Sequence, residues 1–591
     1  MREVAIPAAI PMPITETLGT IPARNAARAP HRPAYALREG SGWRTVTAAQ
    51  FHEQVQAVAR GLVARGIAPG DPVGILAPTS YEWTVLDFAL WAAGAFAVPI
   101  YDSSSEEQIE WIVADSGLVA VVAATPALAA RVGGVGGSAL PIWTIADGLL
   151  EALAAEGAEV DPAQIAARTH ATRPEDPATI VYTSGTTGRP KGCVITHGNL
   201  VFVVKTLVAT TGPVVTTPGA RTVLFLPLAH VLGRGAHLFC AEGGMQVAHC
   251  PDPKLLVQDI ATFHPTFLVG VPRIFEKIFS AAQQKAHDAG RGRIFDRATA
   301  VAIASSRAGG RPSPWLRAQH AVFDRLVYAK LRAAMGGSLA YAITGGASLG
   351  ERLGHFYAGI GLTVMEGYGL TETTASGTFN RAEAARIGTV GQPMPGTEVA
   401  IADDGEIWLR GPHVMAGYHG LPEATAEAID PAGWFRTGDL GRLDADGFLQ
   451  ITGRKKEIIV TAGGKNVAPA VLEDRIQASR LVSHAVVVGE GRPFVGALIT
   501  LDPEALAAWA RAHGRPSAQV ADLADDVELR AEIQAAVDDA NAAVSRAESI
   551  RAWRLLDMQF TEESGHVTPS LKLKRSVITE DLADEIEAIY A

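Results

Sequence analysis

The sequence predicts two unequal parts: a large α/β body with parallel-rich sheets and a β-rich subdomain, then a small α+β C-terminal domain. Three observations lead there. At 591 residues the chain exceeds the size at which one hydrophobic core stops growing, so more than one domain is expected. Between Val73 and Ala123 short apolar runs alternate with helical patterns, which implies parallel strands joined by crossover helices. From Glu398 to Ile451 hairpin signals follow one another, and the charged cluster Arg454 to Glu457 then separates two apolar β segments. We place the boundary there, with residues 1–454 in the body and 455–591 in the C-terminal domain.

The elements follow in order. From Trp43 to Gly66 the pattern is helical: Phe51, Val55, Val58 and Leu62 recur at helical spacing, with Thr47 as N-cap and Gly66 at the end. Val73 to Leu76 reads as a strand, Trp83 to Ala93 as an apolar helix, Phe96 to Ile100 as a strand and Glu106 to Ser116 as a helix. Arg131 to Ser138 reads as a loop and Asp161 to Pro177 as a polar approach to the next strand, Ala178 to Val181. Val223 to Leu228 is a strand ending in Pro227-Leu228-Ala229-His230. Lys277 to Met335 is mostly helical, with exposed basic residues, Trp315 after a PSP turn and no catalytic signature. Leu339 to Ile343 and Leu362 to Met365 are strands. Glu398 to Ile401 and Glu406 to Arg410 form a hairpin, and a second hairpin turns at Asp444 to Gly447. In the C-terminal part, strands are expected at Ala485 to Val488 and Val495 to Leu501. Ile533, Val537, Ala540, Val544 and Ala547 then line one helix face.

With 48% hydrophobic and 19% charged residues the composition supplies large cores and argues against disorder. A net charge of −11 and the lack of any nucleic-acid motif argue against a nucleic-acid partner. Cys193, Cys240 and Cys250 have neither metal-site nor disulfide spacing, so they read as buried structural thiols in a reducing compartment. The N-terminus lacks the pattern of a signal peptide, and Val85 to Ile100 is too short and too interrupted for a membrane span. The expectation is a cytoplasmic chain, with room for peripheral contact at the inner face of a membrane.

The chemistry centres on Tyr182 to Gly192, YTSGTTGRPKG, a loop between two apolar runs. Thr183, Ser184, Thr186 and Thr187 offer hydroxyls, Gly185 and Gly188 allow close approach of the backbone, and Lys191 adds a positive charge. Such groups all donate to phosphate oxygens. A bare Ser/Thr/Gly turn would share the composition; the order of the residues, with Pro190 before Lys191, sets this one apart. It is not a Walker A loop. Elsewhere, glycines end the strand before Thr344-Gly345-Gly346-Ala347, leaving room for a flat ligand. Asp439, in the Gly-flanked turn of GWFRTGDLG, suits a pair of ribose hydroxyls. No Ser/His/Asp or Cys/His constellation is present.

The phosphate loop resembles the signature of the acyl-adenylate-forming (AMP-binding) superfamily, and further motifs in the family's order extend the resemblance from about Trp43 to Arg575. EGYGLTET, Glu366 to Thr373, resembles the adenylate-binding motif. The resemblance implies that Gly345, Gly346 and Ala347 lie along the adenine, that Tyr368 stacks on it within Glu366-Gly367-Tyr368-Gly369, that Thr371 meets the phosphate, and that Glu372 holds Mg²⁺. It further implies that His230 borders the acyl and ATP sites, that Asp439 holds ribose, that Arg454 contacts ribose or phosphate, and that Lys456 is the hinge of a mobile C-terminal domain. Thr461 to Asn466, TAGGKN, resembles the loop that enters the site during thioester formation. FLVGVPRIFE, Phe267 to Glu276, and the ending Thr568-Pro569-Ser570-Leu571-Lys572-Leu573-Lys574-Arg575 resemble long-chain fatty-acid CoA ligases in particular. The ending departs from the more widespread PxxxxGK form, and of its two lysines Lys572 is taken as the catalytic one over Lys574. The activity implied is ATP-dependent, Mg²⁺-assisted conversion of a fatty acid to acyl-AMP, then to acyl-CoA with coenzyme A. Other readings are a fatty acyl-AMP ligase serving a carrier protein, a CoA ligase for aromatic acids, and a lipid-binding or uptake module without turnover.

Overall fold

Strands Pro72–Leu76, Phe96–Ile100 and Ala120–Ala123 are apolar almost throughout, as befits strands covered on both faces, and they pair in parallel. In this computed structural model, which describes residues 2–135, 140–183, 189–515, 519–568 and 572–591, they sit inside a seven-stranded sheet. Its order is Gly417–Tyr418, Lys191–Thr196, Pro177–Thr183, Phe96–Ile100, Pro72–Leu76, Ala120–Ala123 and Ile142–Thr144. The first two strands run antiparallel to their neighbours. A second sheet sets Phe267–Gly270, Tyr341–Thr344 and Thr363–Tyr368 in parallel, followed by two short antiparallel strands. A third joins Arg221–Leu224, Gln246–His249, Pro33–Glu39 and Gly42–Thr47. One continuous core, including Trp83, Trp91, Val201, Val204, Phe275 and Tyr357, binds these layers together.

The expected hairpins are present in an antiparallel sheet of Arg2–Ala5, Glu398–Ile401, Glu406–Arg410, Phe435–Leu443 and Leu449–Arg454. Beyond it, Val482–Val488, Val495–Leu501 and Ile550–Leu556 form a small sheet. It packs on helices Pro469–Gln477, Pro503–Ala512 and Val527–Asn541 around a core of its own, with Leu472, Trp509 and Ile533 inside. Among the described residues no helix is long and apolar enough to cross a membrane.

The helix expected near Trp43 starts later, at Ala48–Ala64, capped by a reciprocal Thr47/Gln50 box. Trp43 lies instead in the strand Gly42–Thr47, whose pairing with Pro33–Glu39 overrides local pattern. The stretch from Arg131 enters a helix, Pro126–Val135, and the polar approach to the phosphate loop contains the helix Pro162–Ala171, N-capped by Asp161. The strand expected to run to Leu228 stops at Leu224. The helix carrying Ile533, Val537 and Ala540 ends at Asn541, before Val544.

Candidate active site

Three parallel strands end at the site: Pro177–Thr183, Tyr341–Thr344 and Thr363–Tyr368. Ligands in α/β sheets gather at such carboxyl ends. Ser184, Gly185, Thr186, Thr187 and Gly188, and likewise Pro569 to Leu571, lie outside the described residues. The phosphate loop is nevertheless anchored at both ends, since Thr183 and Lys191 pair across the two strands that carry them. Lys191 Nζ stands 4.9 Å from the centre of the Tyr418 ring, and the Tyr418 hydroxyl donates to Glu372 Oε1 at 3.0 Å. The Met415 N–H donates to the Glu372 carbonyl at 2.8 Å. Tyr418 thus meets the ammonium with its ring and Glu372 with its hydroxyl. Burial, and then the Glu372 charge, push the Tyr418 phenol well up, so it remains a donor. Tyr418 escaped sequence reading because it sits in the two-residue strand Gly417–Tyr418, which has no pattern of its own.

Asp439 occupies a strand, Phe435–Leu443, and not the turn its glycines suggest; Gly438 takes the positive φ (71°) there, and the register slips between Leu440 and Gly441. The Asp439 carboxylate is nearly buried. Tyr368 donates to Oδ2 at 2.6 Å and Arg454 Nε to Oδ1 at 2.7 Å. Each carboxylate oxygen has a second lone pair, so two further hydroxyls fit. Burial, the largest single influence, opposes the charge of Arg454, but the charge and hydrogen bond of Asp439 together with Glu457 and Tyr368 raise the guanidinium pKa. Tyr368 is buried among Val399, Ile407 and Leu409 on one side, its phenol pushed well up by burial and by Asp439. Glu366 is buried as well, and its Oε1 accepts the Leu349 N–H at 3.0 Å. It thereby ties down the loop containing Gly345, Gly346 and Ala347. A side chain on Gly345 would meet the Gly367 carbonyl at 3.3 Å, and Gly346 has φ of 86°, so the two glycines are what allow this turn to lie flat against the Glu366–Gly369 strand end. Gly369 is tighter still, with Ser376 N 2.3 Å from a built Cβ. Thr371 and Glu372 share a short 3-10 turn, Thr371–Thr373.

His230 caps the helix Val231–Gly243, its Nδ1 accepting the Leu232 N–H at 3.1 Å. Nε2 therefore carries the proton in the neutral ring. Burial, reinforced by the Lys572 charge, pushes His230 down to about 4. The preceding loop is clamped by buried Thr79, which donates to the Leu226 carbonyl at 2.7 Å and accepts the Leu228 N–H at 3.0 Å. Nothing in the sequence signals this clamp, because Thr79 lies some 150 positions away in chain.

From the C-terminal part comes Lys572. It is exposed to the water of the cleft, yet the surrounding protein lowers its ammonium pKa, burial first and Arg454 second, while Asp439, Glu372 and Glu457 act in the opposite direction. Lys572 N–H donates to Thr568 Oγ1 at 3.0 Å and the Thr568 N–H to the Lys572 carbonyl at 2.8 Å. Three residues on, Arg575 anchors the segment by bonding the Val487 carbonyl at 2.7 Å and Glu473 Oε1 at 2.5 Å. Lys574 begins the helix Arg575–Asp581 as its N-cap, and its N–H donates to the His566 carbonyl at 2.8 Å. Lys572 thus stands near enough for its charge to act on His230 and to be acted on by Arg454, Asp439, Glu372 and Glu457. Lys456 is exposed in the 3-10 turn Lys455–Glu457, and TAGGKN is the turn of a small hairpin, Ile459–Val460 with Asn466–Val467. Cys193, Cys240 and Cys250 are buried free thiols. Among the described residues no cluster of three or more His, Cys, Asp or Glu could hold a metal by itself. Mg²⁺ commonly takes one or two carboxylates and completes its shell with phosphate and water, so a lone Glu372 beside the phosphate loop fits that ion.

The fold and this cleft define an adenylate-forming enzyme, and the chain belongs to the AMP-binding enzyme family. The family profile for AMP-binding enzymes matches residues 22–419, and that for the AMP-binding enzyme C-terminal domain matches 456–591. Among individual proteins, long-chain-fatty-acid–CoA ligase FadD15 of Mycobacterium bovis is 49% identical, over 100% of both chains. The ATP-bound RpMatB-BxBclM chimera B1 is similar with a TM-score of 0.72 and 25% identity, covering 97% of this chain and 99% of that one. The adenylation domain of the carboxylate reductase GR01_22995 from Mycobacterium chelonae, at 22% identity, shares the fold with a TM-score of 0.76, over 98% of this chain and 92% of that one.

Proposed function

We propose that this protein is a long-chain fatty-acid CoA ligase that forms acyl-AMP from ATP and a fatty acid, releasing pyrophosphate, and then transfers the acyl group to coenzyme A, releasing AMP. What supports the proposal is the bond of Arg454 to Asp439 at 2.7 Å and the mutual influence of Lys572 with Arg454, Asp439, Glu372 and His230, in a chain whose FadD15 relative is described as a long-chain-fatty-acid–CoA ligase.

In the first half-reaction a carboxylate oxygen attacks the α-phosphorus, the P–O bond to the β-phosphate breaks, and pyrophosphate leaves with the electron pair. Both partners are anions, so the work of the site is alignment and charge neutralisation. Lys572 would meet the reacting carboxylate and α-phosphate, Lys191 the outgoing phosphates, and the neutral His230 would add an Nε2–H donor beside Lys572. Asp439 would hold both ribose hydroxyls while Tyr368 and Arg454 keep its two oxygens in place. Adenine would lie between the Gly345–Ala347 turn and the Tyr368 strand end, with Thr371 at the phosphate. Mg²⁺, bound at Glu372 with the nucleotide, would supply further positive charge to the phosphates. In the second half-reaction the thiolate of CoA attacks the acyl carbonyl, and the C–O bond to AMP breaks with AMP as leaving group; no side-chain nucleophile is needed. We take the boundary between residues 454 and 455, with Lys456 as the hinge that lets the C-terminal domain exchange Lys572 for the TAGGKN loop. A cytoplasmic chain in peripheral contact with a membrane's inner face would draw its substrate from there.

The test is product analysis with acids of graded length, ATP and Mg²⁺, with and without CoA. If the acyl chain enters an apolar tunnel, each buried methylene contributes about 0.8 kcal/mol until the tunnel is full, so kcat/KM climbs with length and then levels. Better use of acetate or benzoate than of a sixteen-carbon acid would overturn the long-chain reading. Acyl-AMP that CoA does not consume would favour a carrier-protein acceptor.

A further inference from the structure

The segment that carries Lys572 is fastened to one helix. Arg575, three residues on, bonds Glu473 Oε1 at 2.5 Å, and Glu473 sits in the helix Pro469–Gln477. The same carboxylate oxygen accepts the Val487 N–H at 2.6 Å, which ties the helix to its sheet as well. Whatever holds this helix against the body therefore decides whether Lys572 stands in the site.

The body meets the C-terminal end of that helix. Arg352, in the helix Glu351–Gly359, donates from Nη2 to the carbonyl of Ala478, the C-cap residue, at 3.2 Å. Carbonyls at a helix end lack partners within the helix and form the negative end of its dipole, so a guanidinium suits the position. On its other side the guanidinium lies 5.0 Å from the centre of the Phe279 ring, and Phe279 is itself buried against Phe295 and Phe356. A cation–π contact in the body and a hydrogen bond to the C-terminal part thus fix one side chain between two surfaces. Burial lowers the Arg352 pKa, while the charges of Asp539, in the helix Val527–Asn541, and of Glu276 act the other way. Elsewhere on this contact like charges meet. Burial, then Glu473 on its own helix, then Glu276 and Glu366 of the body raise the Asp474 carboxyl to about 7. An attraction concentrated in one side chain and opposed close by holds two parts together and still lets them separate.

We infer that Arg352 is a positioning residue for adenylation: it latches the end of the helix Pro469–Gln477 to the body, keeps Lys572 in the site, and lets go when the C-terminal part turns for thioester formation. The inference rests on the reading above that this part turns about Lys456. Arg352 acts on Lys572 through the helix, Glu473 and Arg575.

The experiment measures the two half-reactions separately on the full chain with Arg352→Met, Arg352→Lys and Arg352→Glu. Methionine keeps a stem over Phe279 and removes the donors. It should shift the balance of the two arrangements about tenfold away from adenylation, the factor that about 1.4 kcal/mol represents. Pyrophosphate release from ATP and fatty acid should therefore slow several-fold. Conversion of supplied acyl-AMP to acyl-CoA should run as fast as in the wild type or faster, which also shows that the variant is folded. Lysine keeps a donor and the charge and should fall between wild type and Met. Glutamate brings a carboxylate to the Ala478 carbonyl, Asp539 and Glu276, and should slow adenylation more than Met does. Equal losses in both half-reactions would show a merely structural role and overturn the inference, as would wild-type adenylation by the Met and Glu variants. Lys456→Pro reads the underlying motion: normal CoA transfer by that variant sinks the turning of the C-terminal part, whereas a mistaken latch leaves the Arg352 variants at wild type whatever Lys456→Pro does.

Discussion

Replacing Thr79 by Val tests how the loop before His230 is held. The side chain is 4% exposed and its hydroxyl serves two backbone groups, the Leu226 carbonyl at 2.7 Å and the Leu228 N–H at 3.0 Å. Valine has the same shape but strands both groups in a buried place, at about 1–3 kcal/mol each, so about 3 kcal/mol together is a fair expectation. At about 2 cal/mol/K per residue, a body of roughly 450 residues has an unfolding entropy of roughly 0.9 kcal/mol/K, so the thermal midpoint should fall by about 3 °C. The loop cannot easily relax elsewhere, because a Cβ on Gly233 would already stand 2.2 Å from the Pro227 carbonyl oxygen. We therefore expect, in addition, a drop of about tenfold in the adenylation rate, read as pyrophosphate release, as His230 loses its fixed relation to Lys572; tenfold corresponds to about 1.4 kcal/mol. Thr79→Ser keeps both hydrogen bonds and should restore the rate and most of the midpoint. A Val variant with wild-type midpoint and rate would refute the clamp, and a Ser variant as poor as Val would show that the methyl group, not the hydroxyl, matters.

Glu372→Gln keeps the size of the side chain and removes the charge that attracts a hard cation, so adenylation should need more Mg²⁺; wild-type pyrophosphate release at limiting Mg²⁺ would contradict the assignment. Buried imidazoles predict an acid limit. His413 is pushed down to about 3 by burial, its two ring nitrogens without hydrogen-bond partners among the described residues, and His230 and His197 are pushed down to about 4, burial first in each case. In the unfolded chain such rings take up a proton near pH 6.5, so as pH falls the unfolded state gains protons first; the stabilisation is complete above about pH 6.5 and is lost toward about pH 4. The melting midpoint should be lower at pH 5 than at pH 7, with a smaller difference in His413→Phe, and equal midpoints at both pH values would count against this. Lys456→Pro fixes φ at the proposed hinge and restricts Lys455; it should form acyl-AMP but fail to pass it to CoA, whereas full CoA transfer would place the pivot elsewhere.

The parallel core was legible because its strands are short and apolar with helical patterns between them, as at Pro72–Leu76 and Phe96–Ile100. Strand Gly42–Thr47 was not, since its alternation is weak and pairing with Pro33–Glu39 decides its state. Of the site, the side chains carrying charge or capping loops were named from motifs: Lys191, His230, Glu372, Asp439, Arg454 and Lys572. The neutral residues that hold them were invisible. Tyr418 and Thr79 act through partners 46 and 147 positions away, and a contact at that separation leaves no local signature. Asp439 shows the limit in another form: flanking glycines suggest a turn, but one positive φ at Gly438 and a register slip accommodate them within a strand.

The central claim is that Lys572 completes the adenylation site, and it is tested most directly by measuring the two half-reactions separately on Lys572→Ala and Lys574→Ala. Lys572 senses Arg454, Asp439 and Glu372, and Lys574 is the N-cap of the helix Arg575–Asp581. The account predicts that Lys572→Ala loses adenylation, measured as pyrophosphate release from ATP and fatty acid, yet still converts supplied acyl-AMP to acyl-CoA, and that Lys574→Ala adenylates normally. Loss of adenylation in Lys574→Ala with Lys572→Ala unaffected would shift the assignment by two residues, and full adenylation by both variants would contradict it altogether.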